Sequence, residues 1–150
     1  MNAILSIKPQ FVEEIVAGRK KYEFRKKGFK KPVQKVYVYA TTPVCKIIGE
    51  FELGGILEGK PNKIWALTNQ MSGITEEYFK EYYSNKDIAY ALEIKSFKSY
   101  KEPINPYSTF GKFTPPQSFC YVSKDFLIWD KVFIQLSWQE SNYLSAEHMG

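Results

Sequence analysis

The segment formed by residues 18–25 changes from helical to strand periodicity within a few positions. The preceding residues 11–16 repeat apolar side chains on one helical face, and Gly18 is a typical helix stop. Residues 22–25 then alternate aromatic and charged side chains, so Glu23 and Arg25 share one face of the predicted strand. The chain is therefore expected to fold from a helix directly into a strand that carries charge on one side.

This segment opens the most basic part of the chain. Residues 19–35 contain nine of the 21 basic residues, and Glu23 is their only acid. The formal net charge is +5, which suits phosphate-bearing partners. The lysines that follow the strand predict a basic loop that either contacts a phosphate backbone or is simply solvated. They are Lys26, Lys27, Lys30 and Lys31.

Composition excludes several classes of protein. The 150 residues suit one domain with its own core. Two cysteines without C-x-x-C spacing and a single histidine are too few for a thiolate–imidazole zinc site, so we expect neither a metal nor a cofactor. No apolar run approaches membrane-spanning length and no signal peptide is evident, so we expect a cytoplasmic protein with reduced thiols and no membrane partner.

Period-2 patterns dominate the chain and predict an α+β fold rich in short strands. Predicted strands are 3–7 (half-buried), 21–25, 36–41, 46–57, 87–98, 119–122 and 131–136. Predicted helices are an early one starting at Pro9, a helical insertion at 62–71 and 75–83, with Thr75 as a cap, while 102–117 reads as an extended connection. Many short strands with glycine corners indicate a small barrel. The predicted domain spans 1–136, and 137–150 is a polar C-terminal tail.

The spacing Gly18-x-Lys20-x-x-Glu23-x-Arg25 resembles the G-x-K-x-x-E-x-R signature of the ASCH domain. That family is a branch of the PUA-like superfamily, which also contains the PUA, EVE and YTH domains. Residues 4–9, 39–43 and 116–121 are similar to the family as well. The resemblance implies a PUA-like β-barrel of five to six mostly antiparallel strands. It also implies a cleft beside the first helix, lined by the signature residues, that binds RNA or modified nucleotides.

The candidate site combines the signature with residues that can border the cleft. Lys20 is the leading candidate, with Glu23 orienting either Lys20 or Arg25, and with Arg25 gripping a phosphate or carboxylate. The structural alternatives are a solvated turn lysine at position 20 and an exposed Glu23–Arg25 ion pair worth about 0–1 kcal/mol. The remaining candidate ligand-binding residues are Ser6, Lys8, Tyr39, Thr41, Gln117 and Ser118.

Three functions remain open from the sequence. The first is a binding module for RNA or a modified nucleotide. The second is a small metal-independent hydrolase acting on an acylated nucleoside or on RNA, with Lys20 as base and Glu23 as its partner. One branch that the chain resembles has a threonine nucleophile where this chain has Glu23. The third is a regulatory protein-interaction domain that forms a homodimer through the aromatic helix at 78–83.

Overall fold

The structure, a computed structural model, describes residues 1–110 and 112–126. The predicted strand at 131–136 and the predicted tail at 137–150 lie outside these residues. The strands are β1 (Asn2–Ile7), β2 (Tyr22–Arg25), β3 (Lys35–Ala40), β4 (Lys46–Gly59), β5 (Ala89–Ile104) and β6 (Phe119–Val122). The helices are α1 (Pro9–Val16), α2 (Pro61–Thr68), α3 (Glu76–Tyr82) and α4 (Pro106–Phe110), with a 3₁₀ turn at Asn69–Met71.

The six strands form one curled sheet in the order β2-β5-β4-β3-β1-β6. β1 pairs with β3 in parallel, and the other four pairings are antiparallel. The sheet curls into a half-barrel, with α1 at the N-terminal end and α2 and α3 inserted between β4 and β5. This architecture confirms the predicted α+β fold with an early helix and a helical insertion.

Both faces of the sheet are covered by apolar packing. The first core lies inside the curl, where Val12 and Ile15 of α1 pack against Leu5, Val38 and Leu92. On the outer face, the segment that follows β5 covers β1, β3 and β6, and α2 and α3 cover β2 and β5. Strand β1, predicted to be half-buried, is therefore buried on both faces along most of its length.

Glycines mark the bends of the long β4–β5 ribbon, as predicted. The pairing shifts register between Ile47 and Gly49, and again between Leu53 and Ile56, where Gly54 and Gly55 lie. Each shift adds a local bend to the strand. These bends let one long pair of strands take part in a curled sheet.

Two predicted elements differ from the structure. Strand β5 runs on to Ile104 instead of ending at residue 98, because β4 is long enough to pair with it over its whole length. The short helix α4 occupies part of the region predicted as an extended connection. There the side-chain amide oxygen of Asn105 accepts from the backbone N–H groups of Tyr107 and Ser108 and starts the helix.

Phe79 should be the main apolar anchor of α3. Its ring packs edge-on against Phe24 and also contacts Trp65 and Tyr83. We expect Phe79→Ala to lower the free energy of unfolding by about 3–5 kcal/mol, because it leaves a cavity under the helix. Urea denaturation measures the change.

The matched control is Glu81→Ala, a substitution at an exposed position of the same helix. It should change stability by no more than about 0.5 kcal/mol. Equal effects of the two substitutions would contradict the assignment of Phe79 to the core.

Candidate active site

The turn between α1 and β2 places Lys20 inside the protein. Gly18 has a φ of +80°, a left-handed conformation that glycine adopts without a side-chain clash. The backbone N–H groups of Arg19 and Lys20 both donate to the Glu14 carbonyl at 3.0 Å and hold the turn against the helix end. The Lys20 side chain is consequently directed inward, and only 1% of the residue is exposed.

The ammonium group of Lys20 contacts groups from separate parts of the chain. Its Nζ donates to the Ser72 carbonyl at 2.9 Å and lies 3.4 Å from Oε1 of Glu23. It also lies 4.8 Å from the ring centre of Phe24. Gly73 packs so closely on the Lys20 stem that a Cβ at position 73 would clash with the Lys20 Cβ. Lys20 is thus a buried, oriented cation and not a solvated turn lysine.

Glu23 lies between two cations. One carboxylate oxygen accepts a hydrogen bond from Nη2 of Arg25, and the other faces Lys20. Burial alone would raise the pKa of Glu23, but the positive charges of Arg25 and Lys20 outweigh burial and hold the pKa below its usual value. With only 8% of its side chain exposed, Glu23 forms a buried ion pair with Arg25, not an exposed one.

Arg25 connects its own strand β2 with β1 and with the residue that directly precedes β6. Its Nη1 donates to the carbonyl and the hydroxyl of Ser118 at 3.2 and 3.1 Å, and its Nη2 donates to the Ser6 carbonyl at 2.9 Å. Because β2 and β6 are the two edges of the sheet, these bonds join its opposite edges. Its Nε is buried and has no hydrogen-bond partner among the described residues. A bidentate grip on a phosphate by Arg25 would therefore require at least one Nη group to give up a protein contact.

Lys20, Glu23 and Arg25, which we call the charged triad, bury two cations against one anion. Burial lowers the pKa of Lys20, and the nearby Glu23 carboxylate offsets part of that effect. A buried charge without a partner is costly. An anion bound beside the triad would balance its excess positive charge.

The charged triad lies in a cleft of about 1220 Å³ between β1, β2, α3 and the segment entering β6. Aromatic side chains form much of its wall, including Phe11, Phe29, Tyr78 and Tyr82. Six lysines, which we call the rim lysines, also border it: Lys8, Lys26, Lys27, Lys30, Lys31 and Lys86. The cleft therefore combines a cationic border with aromatic surfaces.

The structure brings eight of the nine sequence-predicted ligand residues to this cleft. Besides the triad, these are Ser6, Lys8, Thr41, Gln117 and Ser118. Tyr39 is the exception, because its ring packs on Phe113 in the outer-face core and its hydroxyl lies 3.0 Å from that of Tyr107. Its position at the end of β3 was predicted, but its side chain lies on the face away from the cleft.

Sequence reasoning missed two kinds of site residue. Tyr78 and Tyr82 belong to the aromatic helix predicted at 78–83, but of its four aromatic residues only Phe79 and Tyr83 are buried, at 2% and 3% exposed. The four rings are two pairs spaced by four residues, a pattern that can separate a core face from a cleft face. Ser72 acts through its backbone carbonyl, so no pattern of side chains could have indicated it.

A second cavity of about 600 Å³ lies between α2 and α3 and shares Lys86 with the cleft.

Within residues 1–110 and 112–126, no three His, Cys, Asp or Glu side chains are grouped to hold a metal ion. No helix in the part of the chain that the structure describes is long and apolar enough to cross a membrane.

The fold and the cleft together define a small half-barrel domain with a buried charged triad at its open side. The ASCH domain model matches residues 5–101, so this chain belongs to the ASCH domain family, as its resemblance predicted. The chain is 28% identical over 131 residues to an ASCH domain-containing ribonuclease of Zymomonas mobilis. That match covers 83% of this chain and 86% of the relative.

Solved structures agree with this assignment. ASCH from Zymomonas mobilis matches with a TM-score of 0.77 and 26% identity, covering 91% of this chain and 94% of that one. The chain is also 33% identical over 90 residues to large ribosomal subunit protein uL22 of Ureaplasma parvum, but the match covers 60% of this chain and only 29% of that protein.

Glu23→Gln should destabilise the protein by about 3 kcal/mol at neutral pH, because it leaves Lys20 and Arg25 buried without a counter-charge. Urea denaturation measures the loss. Glu52→Gln, an exposed substitution on β4, serves as the control and should cost no more than about 0.5 kcal/mol. A Glu23→Gln protein as stable as wild type would contradict the bridging role of the carboxylate.

The stabilising effect of Glu23 should disappear in acid. Because the folded-state pKa is below the ordinary value of 4.5, the carboxylate contributes its full stabilisation above that value. The contribution is lost as the pH falls through the folded-state pKa. The stability difference between wild type and Glu23→Gln, measured by denaturation in a pH series, should therefore narrow in acid, and a constant difference would refute the assignment.

Proposed function

We propose that this protein binds RNA, or a single modified nucleotide, in the cleft, with one phosphate beside the charged triad. The observation that carries the proposal is the buried excess of positive charge, to which the cleft gives access. Lys20 keeps its ammonium out of water at a cost, and a bound phosphate would offset that cost. The rim lysines supply further contacts for a phosphate backbone.

The comparisons support RNA as the partner class. The Zymomonas mobilis relative is named a ribonuclease, and it aligns with this chain over most of both lengths. The aromatic walls of the cleft also suit nucleobases, which stack on such rings in single-stranded RNA recognition. A small inorganic anion would use the charges of the cleft but not these rings.

Affinity for short single-stranded RNA should fall steeply as salt is added. Each phosphate-neutralising lysine contributes about 0.7 to the slope of log affinity against log salt. Substituting Lys26, Lys27 and Lys30 together with alanine should reduce that slope by roughly 2. Fluorescence anisotropy with a 2′-O-methyl oligomer, which resists cleavage through the 2′-hydroxyl, measures both affinity and slope.

The matched control replaces Lys95, Lys101 and Lys124 with alanine, since these exposed lysines do not line the cleft but change the net charge equally. Their slope should stay near that of wild type. Equal losses in the two triple variants would assign binding to overall charge and reject the cleft. Salt-independent binding by wild type would reject it too.

Cleavage of RNA is the second candidate function, and two observations favour it. One is the ribonuclease name of the relative. The other is the lowered pKa of Lys20, because burial makes its neutral amine available at lower pH than in a solvated lysine. The pKa of Glu23 is lowered as well, and a carboxylate with a lowered pKa is a weaker proton acceptor. We therefore assign Glu23 to orienting Lys20.

In the proposed reaction, the neutral Lys20 amine takes the proton of a ribose 2′-hydroxyl, and the 2′-oxygen attacks the adjacent phosphorus. The bond from phosphorus to the 5′-oxygen breaks. The products are a 2′,3′-cyclic phosphate and a 5′-hydroxyl, whose proton comes from water, and Lys20 then returns its proton to the solvent. The rim lysines stabilise the negative charge of the transition state.

Lys20→Met should abolish cleavage while the protein stays folded. Methionine fills a similar volume, and Glu23 remains paired with Arg25, so stability should stay within about 1 kcal/mol of wild type. The wild-type rate should rise with pH, because the unprotonated amine is the reactive form, and it should level off above the pKa of Lys20, which lies below 10.5. Gel analysis of labelled RNA and detection of the cyclic phosphate measure these effects.

The control is Lys21→Met, at the exposed neighbouring position, which should cleave like wild type. A Lys20→Met protein that cleaves at the wild-type rate would remove Lys20 as the base and leave the binding function. Acylated cytidine, offered in parallel, tests the acyl-hydrolase alternative.

The other two interpretations draw less support from the cleft. An acyl hydrolase of the kind the sequence resembles uses a hydroxyl nucleophile, whereas position 23 carries a carboxylate that is engaged by two cations. A homodimer through the aromatic helix would need its rings at the surface, but Phe79 and Tyr83 pack in the core of the same chain. RNA binding with Lys20-dependent cleavage uses the charged triad and the rim lysines in the positions that they already occupy.

A further inference from the structure

We infer that the cleft-facing side of α3 is a stacking surface for two unpaired nucleobases, formed by Tyr78 and Tyr82. The inference rests on the proposed RNA-binding function and adds to it a site for the bases. Both rings line the cleft, and neither is fully buried. Since they lie four residues apart, they share one face of the helix.

The buried side of α3 gives these two rings a defined position relative to the charged triad. Phe79 packs edge-on against Phe24 of β2 with ring centres 5.1 Å apart. The Tyr83 hydroxyl donates to the Arg25 carbonyl at 2.9 Å. The strand that carries the triad therefore also supports the helix that carries the stacking rings. A phosphate beside the triad and bases on α3 would belong to one bound strand.

Each stacking ring is accompanied by a rim lysine from across the cleft. Lys8 Nζ lies 5.8 Å from the ring centre of Tyr78 and donates to its hydroxyl at 3.3 Å. Lys26 Nζ lies 4.6 Å from the ring centre of Tyr82. Cation–π contacts at exposed sites are weak, so a nucleobase can displace the ammonium group from the ring. The displaced ammonium group would then be available to pair with a backbone phosphate.

The spacing of the rings selects unstacked bases. Residues four apart are offset by about 6 Å along a helix axis. Successive bases in a stacked strand are only about 3.4 Å apart. Two neighbouring bases can lie on Tyr78 and Tyr82 only if they separate from each other, which a duplex does not allow. The surface therefore fits single-stranded RNA.

The test compares two short 2′-O-methyl oligomers of equal length, one with bases and one with an abasic backbone. Base–aromatic stacking should make wild type bind the base-bearing oligomer more tightly by roughly 5- to 150-fold per stacked base. The double variant Tyr78→Leu, Tyr82→Leu should lose this preference. Its salt slope should stay unchanged, because the phosphate contacts remain.

The matched control is Tyr78→Phe, Tyr82→Phe, which keeps both rings and removes both hydroxyls, so it should retain the preference for bases. Loss of the preference in this control would assign it to the hydroxyls and overturn the stacking inference. Equal affinity of wild type for the two oligomers would also overturn the inference, while salt-dependent binding of both would leave the proposed RNA-binding function standing. Failure of wild type to bind either oligomer at low salt would reject both.

Discussion

The hydrogen bonds from Arg25 to Ser6 and Ser118 connect the two edges of the sheet, and the cleft depends on that connection. Among residues 1–110 and 112–126, edge strand β2 pairs with β5, edge strand β6 pairs with β1, and no backbone ladder joins the two edges. Closing a barrel by backbone pairing would bring the two edge strands to hydrogen-bonding distance along their length. A side-chain connection holds the edges together at one point and leaves room for a cavity of about 1220 Å³ beside it.

The connection consists of buried charged groups, and removing such groups from water costs free energy. Replacing buried ion pairs with apolar residues often leaves stability unchanged or increases it. We therefore attribute the two cations and one carboxylate to the proposed function of the site and not to stability. The helical insertion shares in this arrangement, because it supplies the Ser72 carbonyl that orients Lys20 and the tyrosines that line the cleft.

Local patterns predicted much of this fold. The Thr75 cap accepts from the Tyr78 backbone N–H as expected, and β6 has the predicted bounds. Features that depend on distant partners were not predictable. Residues 99–104 at the end of β5 show no clear alternation, and the length of β5 is decided by its pairing with β4. The prediction that Tyr39 faces the ligand was wrong, because both faces of β3 are buried and alternation then carries no contrast.

The position of Glu23 restricts the chemistry available in the cleft. Its two oxygens hold Arg25 and Lys20, so it cannot act as nucleophile or base without releasing one of them. Release would leave a buried cation unpaired. The free-energy cost of such a cation exceeds the stabilisation that a surface ion pair provides. The lowered pKa of the carboxylate points the same way, because it weakens Glu23 as a proton acceptor. In the cleavage reaction that we propose, proton transfer beside the triad would therefore fall to Lys20, whose pKa is lowered by burial.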